Sequence, residues 1–165
     1  MPEKNLLKGF SFFSDIDPDT LEAISKKADI LEFNAEDVIF HCEAPSTHFY
    51  GLLEGEVDLI LIFKDKVLKT DIEYEEAIQA TMVDEEKAII VDTVAPGQIF
   101  GWSSIVGPGK RTVTAECSQA SRVIAIPADE LKSMFDEDHT LGYIVMRRLG
   151  DIIAKRLRHR TEKLI

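Results

Sequence analysis

The segment Gly97-Gln98-Ile99-Phe100-Gly101-Trp102-Ser103-Ser104-Ile105-Val106-Gly107-Pro108-Gly109-Lys110-Arg111-Thr112-Val113-Thr114 holds the residue types that handle an anion. A short extended run ends at Gly101, a single helical turn follows over Ser103–Val106, and Arg111 arrives after a glycine-rich loop. The first amides of a helical turn have no partner within it and attract negative charge. An arginine adds a planar, charged fork that fits a phosphate through two hydrogen bonds. Ser103, Ser104 and Thr112 add hydroxyl donors. Such a segment is a candidate phosphate cradle. Read alone, a Gly-Pro-Gly loop and one arginine also suit a plain turn carrying a surface charge.

Other chemistry finds little support. The four histidines (His41, His48, His139, His159) form no HxH or HExxH spacing, which argues against a zinc hydrolase or a metal-bearing cupin. Cys42 and Cys117 are far apart and in no metal-type spacing, so they read as small buried or half-buried side chains, a disulfide or metal pair being the alternative. No acid–base constellation stands out, so no catalytic residue, metal or cofactor is expected, and the chain is not read as an enzyme.

The elements that must carry the cradle fall in a clear order. Residues 6–29 read as helical: Phe10, Phe12, Phe13 and Ile16 form a bulky cluster, and Asp17-Pro18 can cap a helix bearing Leu21, Ile24 and Ala28. Residues 30–126 are β-rich. Short apolar runs at 30–33, 38–40, 48–63, 88–94, 112–116 and 122–126 are split by turns, with Gly55 at a bend and Lys64-Asp65-Lys66 as a hairpin tip. Residues 71–87 form an acidic insertion that suits either a short helix or a hairpin arm. Residues 127–165 read as helices with a break near Asp136–His139, and Met146, Leu149, Ile153 and Leu157 fall on one apolar stripe. This order predicts an α+β domain spanning 1–165, a jelly-roll-like antiparallel β-roll flanked by an N-terminal helix and C-terminal helices.

Length and charge agree with one folded domain. The chain has 165 residues, 45% hydrophobic and 30% charged, with a net charge of −11. Seven basic residues against two acidic ones make Arg147–Ile165 a +5 tail, leaving the first 146 residues at −16, with 12 basic and 28 acidic side chains. An acidic body argues against direct nucleic-acid binding. The basic tail suits either an acidic partner or a solvated helix face. No apolar run is long enough for a membrane span or follows a basic start, so no membrane contact is expected. The expected location is cytoplasmic, for this chain or a longer one containing it.

The cradle resembles the phosphate-binding cassette of the cyclic-nucleotide-binding domain family, whose pattern is roughly F-G-E-x-A-L, a short loop, then R-x-A-[ST]. Here it reads Phe100-Gly101-Trp102-Ser103-Ser104-Ile105, then Arg111-Thr112-Val113-Thr114. The likeness extends to Phe12-Phe13-Ser14-Asp15-Ile16, to Phe49–Val57, to Ala95–Gly101, and to Val123–Pro127 with Leu131 and Phe135. The resemblance implies a double-stranded β-helix fold and a regulatory or sensor module whose ligand is cAMP, cGMP or another anionic small molecule. It implies that Arg111 neutralises a phosphate, that Gly101 lets the backbone approach it, and that amides around Ser104 and Ile105, with Ser103 and Thr112, complete the contacts. It further implies a C-terminal helix serving as lid and as a homodimer interface through residues 141–164, reporting to an effector protein.

One residue departs from the pattern. The family's cassette Glu accepts a hydrogen bond from the ribose 2′-OH, and Trp102 stands in its place. Losing such a bond costs about 1.5–3 kcal/mol, roughly tenfold to a hundredfold in affinity. Three readings stay open: Trp102 fills the former ribose pocket of a ligand-blind interaction or dimerisation domain, it lines a pocket altered for another anion, or cyclic nucleotide still binds. A DNA-binding regulator is disfavoured because no helix-turn-helix follows the last helix, and an iron–sulfur sensor would need four cysteines.

Overall fold

A computed structural model describes residues 4–74 and 77–163. Helix α1 spans Lys4–Lys8, a 3₁₀ turn spans Ser11–Phe13, and α2 spans Pro18–Lys27. The expected cap of α2 is present. Asp17 accepts a hydrogen bond from the Thr20 amide at 3.4 Å and Pro18 opens the helix. The N-terminal helical region is thus interrupted and ends earlier than 29, because Asp29 already pairs with Ala125 in the first strand.

Eight strands follow: β1 Asp29–Phe33, β2 Val38–Phe40, β3 His48–Glu54, β4 Val57–Tyr74, β5 Ala77–Val94, β6 Ile99–Phe100, β7 Thr114–Cys117 and β8 Ser121–Pro127. They form two antiparallel four-stranded sheets, ordered β1-β8-β3-β6 and β2-β7-β4-β5. Helix α3 spans Ala128–Glu137 and α4 spans His139–Lys163, so the break near Asp136–His139 falls where expected. The α+β class and the β-roll flanked by helices hold.

In the first sheet β8, β3 and β6 are buried on both faces, which explains their nearly continuous apolar runs, whereas the edge strand β1 is largely exposed. Phe49, Ile99, Ile124 and Ile126 point toward the helices, where they join Phe10, Phe13, Ile24, Leu131, Val145 and Leu149. Their neighbours Tyr50, Leu52, Phe100, Val123 and Ala125 point into the roll and meet Val57, Leu59 and Val94.

Three expectations are corrected. Lys64-Asp65-Lys66 is no hairpin tip; β4 runs straight through it. The triplet lacks the glycine or asparagine a tight turn needs, and cross-strand pairing of Lys64 with Glu86 and Lys66 with Asp84 favours extension. Residues 71–74 and 77–87 belong to the resulting two-stranded arm, so β5 begins well before Ala88, while 75 and 76 lie outside the described residues. The apolar stripe of α4 is two faces. Leu149, with Leu141 and Val145, is buried against the core, whereas Met146, Ile153 and Leu157 are exposed together with Tyr143. Cys42 and Cys117 are both free, the first half-buried and the second buried. Among the described residues, no helix is long and apolar enough to cross a membrane.

Candidate functional site

β6 ends at Phe100, and Gly101 turns the chain with φ 76° and ψ 30°, the left-handed region that favours glycine. Trp102–Ser104 then forms one 3₁₀ turn. The Ser104 hydroxyl donates to the Gly101 carbonyl at 2.8 Å, and the Ile105 amide donates to the Trp102 carbonyl at 2.9 Å. The Ser104 amide also points back to Gly101 O, at 3.4 Å. The amides expected to be offered at Ser104 and Ile105 are therefore spent within the turn. Because the turn begins at Trp102, its unpaired leading amides are those of Trp102 and Ser103.

The glycine-rich loop is pinned to the chain after β2. Ser46 N donates to Gly109 O at 2.9 Å, Arg111 N to Ala44 O at 2.9 Å, and Glu43 N to Arg111 O at 2.8 Å. This ladder fixes the backbone from which Arg111 reaches inward. Its side chain is only 2% exposed. Nη1 donates to the Gly101 carbonyl at 2.9 Å and approaches Ser103 Oγ at 3.3 Å, and Nη2 donates to the His48 carbonyl at 2.7 Å. The guanidinium lies 4.0 Å from the centre of the Phe40 ring and 5.6 Å from that of Tyr50. A β-carbon on Gly101 would sit 3.0 Å from Arg111 Nη1 and 2.9 Å from the Tyr50 ring. Glycine is thus required here for the arginine as well as for the turn.

No carboxylate partners Arg111 among the described residues, and its Nε is buried without a hydrogen-bond acceptor. Burial draws the guanidinium below the ordinary arginine value, with the Tyr50 phenol opposing; burial raises the Tyr50 phenol in turn, with Arg111 opposing. Arginine remains charged across the accessible pH range, so a positive charge is held here against its desolvation cost.

Above this floor lies α4. Arg156 stacks on Trp102, its guanidinium carbon 4.2 Å from the ring centre, and its Nε pairs with Asp92 at 2.8 Å. Between roll and helix is a cavity of about 250 Å³. Gly101, Trp102, Ser103, Arg111 and Thr112 line its roll side, and Ile153, Arg156, Leu157 and Arg160 line its helix side. Of the site residues expected from sequence, Ser104 and Ile105 do not line it: Ser104 is buried and Ile105 packs on the helix-facing core. Sequence reasoning missed Phe40, Arg156 and Arg160. Arg156 and Arg160 were visible only as charges in a basic tail.

A larger cavity of about 480 Å³ lies beyond Arg156 and does not reach Arg111. Its lining mixes both signs of charge: Arg148 donates to the Phe12 carbonyl at 2.7 Å and faces Asp15 at 3.9 Å, Arg156 pairs with Asp92, and Asp151 stands beside Lys155 in the wall. The smaller cavity is therefore the better candidate for a ligand.

Comparison with known proteins bears on the fold that carries this site. Residues 77–138 match the family model of the cyclic nucleotide-binding domain. A solved structure from Geobacter metallireducens, assigned as a cyclic nucleotide-binding protein, shares 25% identity over 95% of this chain and 99% of its own, with a TM-score of 0.72. The sensor domain of the transcriptional regulator DNR from Pseudomonas aeruginosa shares 14% identity over 94% of this chain and 91% of its own, with a TM-score of 0.66. The catabolite activator protein of Thermus thermophilus shares 17% identity, with a TM-score of 0.62; the match covers 93% of this chain and 61% of that protein. A search of curated proteins finds no match. The chain thus has the β-roll fold of these proteins, and its residues 77–138 are similar to the cyclic nucleotide-binding domain.

Proposed function

We propose that the domain is a non-enzymatic sensor whose cavity takes a cyclic nucleotide or another anionic small ligand and whose α4 carries the signal. One observation supports this most: Arg111 is buried beside a cavity with no carboxylate partner and with Nε unsatisfied. Such a buried cation is costly unless a ligand repays it. Because Trp102 and Ser103 belong to the roll and Arg156 and Arg160 to α4, a ligand in the cavity touches both and biases the helix position.

A second reading has its own support. Arg111 already donates to two carbonyls and stacks on Phe40, and Trp102 is covered by Arg156. In that reading Trp102 fills the former ribose pocket, and the domain acts through protein contact alone.

Titration calorimetry with cAMP and cGMP separates the two. The sensor reading expects saturable heat with at least one anion, whereas the absence of heat from nucleotides and inorganic anions alike at near-millimolar concentration supports the ligand-blind domain. Trp102→Glu restores a ribose acceptor, and its expected effect is a gain of about tenfold for cAMP. An unchanged or weaker affinity would show that Trp102 is not what disfavours ribose.

We also propose that the exposed side of α4 pairs two copies through residues 141–164. Tyr143 and Met146 recur there with Ile153 and Leu157 at the spacings of a helix seam, the last two standing at the rim of the cavity they also line, and Tyr143 and Leu157 are 64% and 65% exposed. Light scattering at tens of micromolar is expected to give twice the 18.5 kDa chain mass, and a monomer mass would overturn the pairing.

A further inference from the structure

We infer that the ligand of this cavity is a compact molecule with two anionic centres, one met by Arg111 on the roll and the other by Arg160 on α4. The inference rests on the anion-binding reading above and narrows the ligand class. Three arginines line the cavity, Arg111, Arg156 and Arg160, and no aspartate, glutamate or histidine does. This is unusual in a chain with a net charge of −11. Arg156 has its charge balanced by Asp92. Arg111 and Arg160 form no ion pair among the described residues. Two positive charges thus remain uncompensated on opposite walls.

Two further features favour the same class. Arg156 Nη1 and Arg111 Nε are both buried without an acceptor, so the guanidinium of each wall is left incompletely bonded. Arg160 also presses on its neighbour. Burial is the main cause lowering the Arg156 guanidinium from its ordinary value, Asp92 opposes it, and Arg160 adds to the lowering. An anion between Arg156 and Arg160 relieves that repulsion.

Size and shape exclude much else. At about 250 Å³ the cavity is smaller than the roughly 300–1,000 Å³ usual for drug-sized ligands. A cyclic nucleotide carries one negative charge on a bulky frame and leaves one arginine unanswered. A bisphosphate, a pyrophosphate or a short dicarboxylate matches both the charge and the space. Trp102 lines the cavity beneath Arg156, and among the described residues no carboxylate lines it to accept a ribose hydroxyl.

The test is calorimetry of the full chain with pyrophosphate, inorganic phosphate and cAMP at one fixed ionic strength. Pyrophosphate is expected to bind at least about tenfold more tightly than either of the others. Arg160→Gln is expected to cost pyrophosphate about tenfold while leaving cAMP within about twofold. Arg160 is exposed, so its replacement does not threaten the fold, and Arg158→Gln, an exposed cation off the cavity wall, is the control expected to change neither. Equal affinity for cAMP and pyrophosphate, or equal losses in the Arg160 and Arg158 variants, would overturn the two-centre ligand while leaving the anion site standing. Absence of binding by all three probes would overturn the anion site itself, and with it this inference.

Discussion

Arg111→Ala is expected to lower the affinity of the domain for its anion by at least about a hundredfold, since two charge-assisted contacts are lost together. The stability change is expected to be much smaller. Removing the guanidinium leaves the His48 carbonyl without its donor, but the Gly101 carbonyl keeps the Ser104 hydroxyl. The stacking on Phe40 is also lost, against which the desolvation of an unpaired cation is recovered. The balance is a destabilisation of about 1–2 kcal/mol, or a Tm roughly 3–8 °C lower for a domain of this size. Calorimetric titration with pyrophosphate and a thermal melt read the two effects separately. A large fall in Tm with unchanged affinity would mean that Arg111 is a structural residue only. Arg111→Lys is not a neutral control, because a lysine cannot form the planar fork that reaches both Gly101 and His48.

The largest effect on stability is expected at Gly55. It connects β3 to β4 with φ 97°, where a side chain is strained whatever the surroundings. A β-carbon there would lie 2.2 Å from the Ser121 hydroxyl, 2.5 Å from the Ala120 carbonyl and 2.7 Å from the Ser121 α-carbon, two of them backbone atoms that cannot turn aside. Strain and overpacking each cost about 1–3 kcal/mol, so Gly55→Ala is expected to destabilise by roughly 3–5 kcal/mol and to lower Tm by about 10 °C or more. It also removes the seat of the Ser121 hydroxyl, which accepts from the Glu56 amide at 3.2 Å and so ties the start of β4 to β8. A thermal melt close to that of the unsubstituted protein would contradict the conformation assigned to this turn.

Local signals carried much of this fold into view. Asp17-Pro18 announced a helix start, and Gly55 announced a sharp bend because few other residues accept its dihedral angles. Gly101 and Arg111 were legible as partners in a cradle, and they do meet, with Arg111 Nη1 on the Gly101 carbonyl at 2.9 Å. What the sequence hid depends on contacts between distant segments. Phe40 beneath Arg111, and Arg156 above Trp102, are brought together only when the two sheets and α4 pack. A hairpin arm is one of the two readings that 71–87 allows, but its continuity with β4 was hidden because Lys64-Asp65-Lys66 resembles a polar turn until Asp84 and Glu86 of β5 are placed opposite its two lysines. The stripe on α4 looked like one face because Leu149 lies between residues that turn outward, and only packing against the core separates it from Met146 and Ile153.

Trp102, the single tryptophan of the chain, lines the cavity and lies beneath Arg156, so its fluorescence reports on the site directly. The most direct measurement is therefore a fluorescence titration of the unsubstituted protein with pyrophosphate, repeated on Arg111→Ala. An anion sensor predicts a saturable change in Trp102 emission that disappears in the variant. A flat signal in both proteins, or an identical change in both, would contradict an anion site built on Arg111.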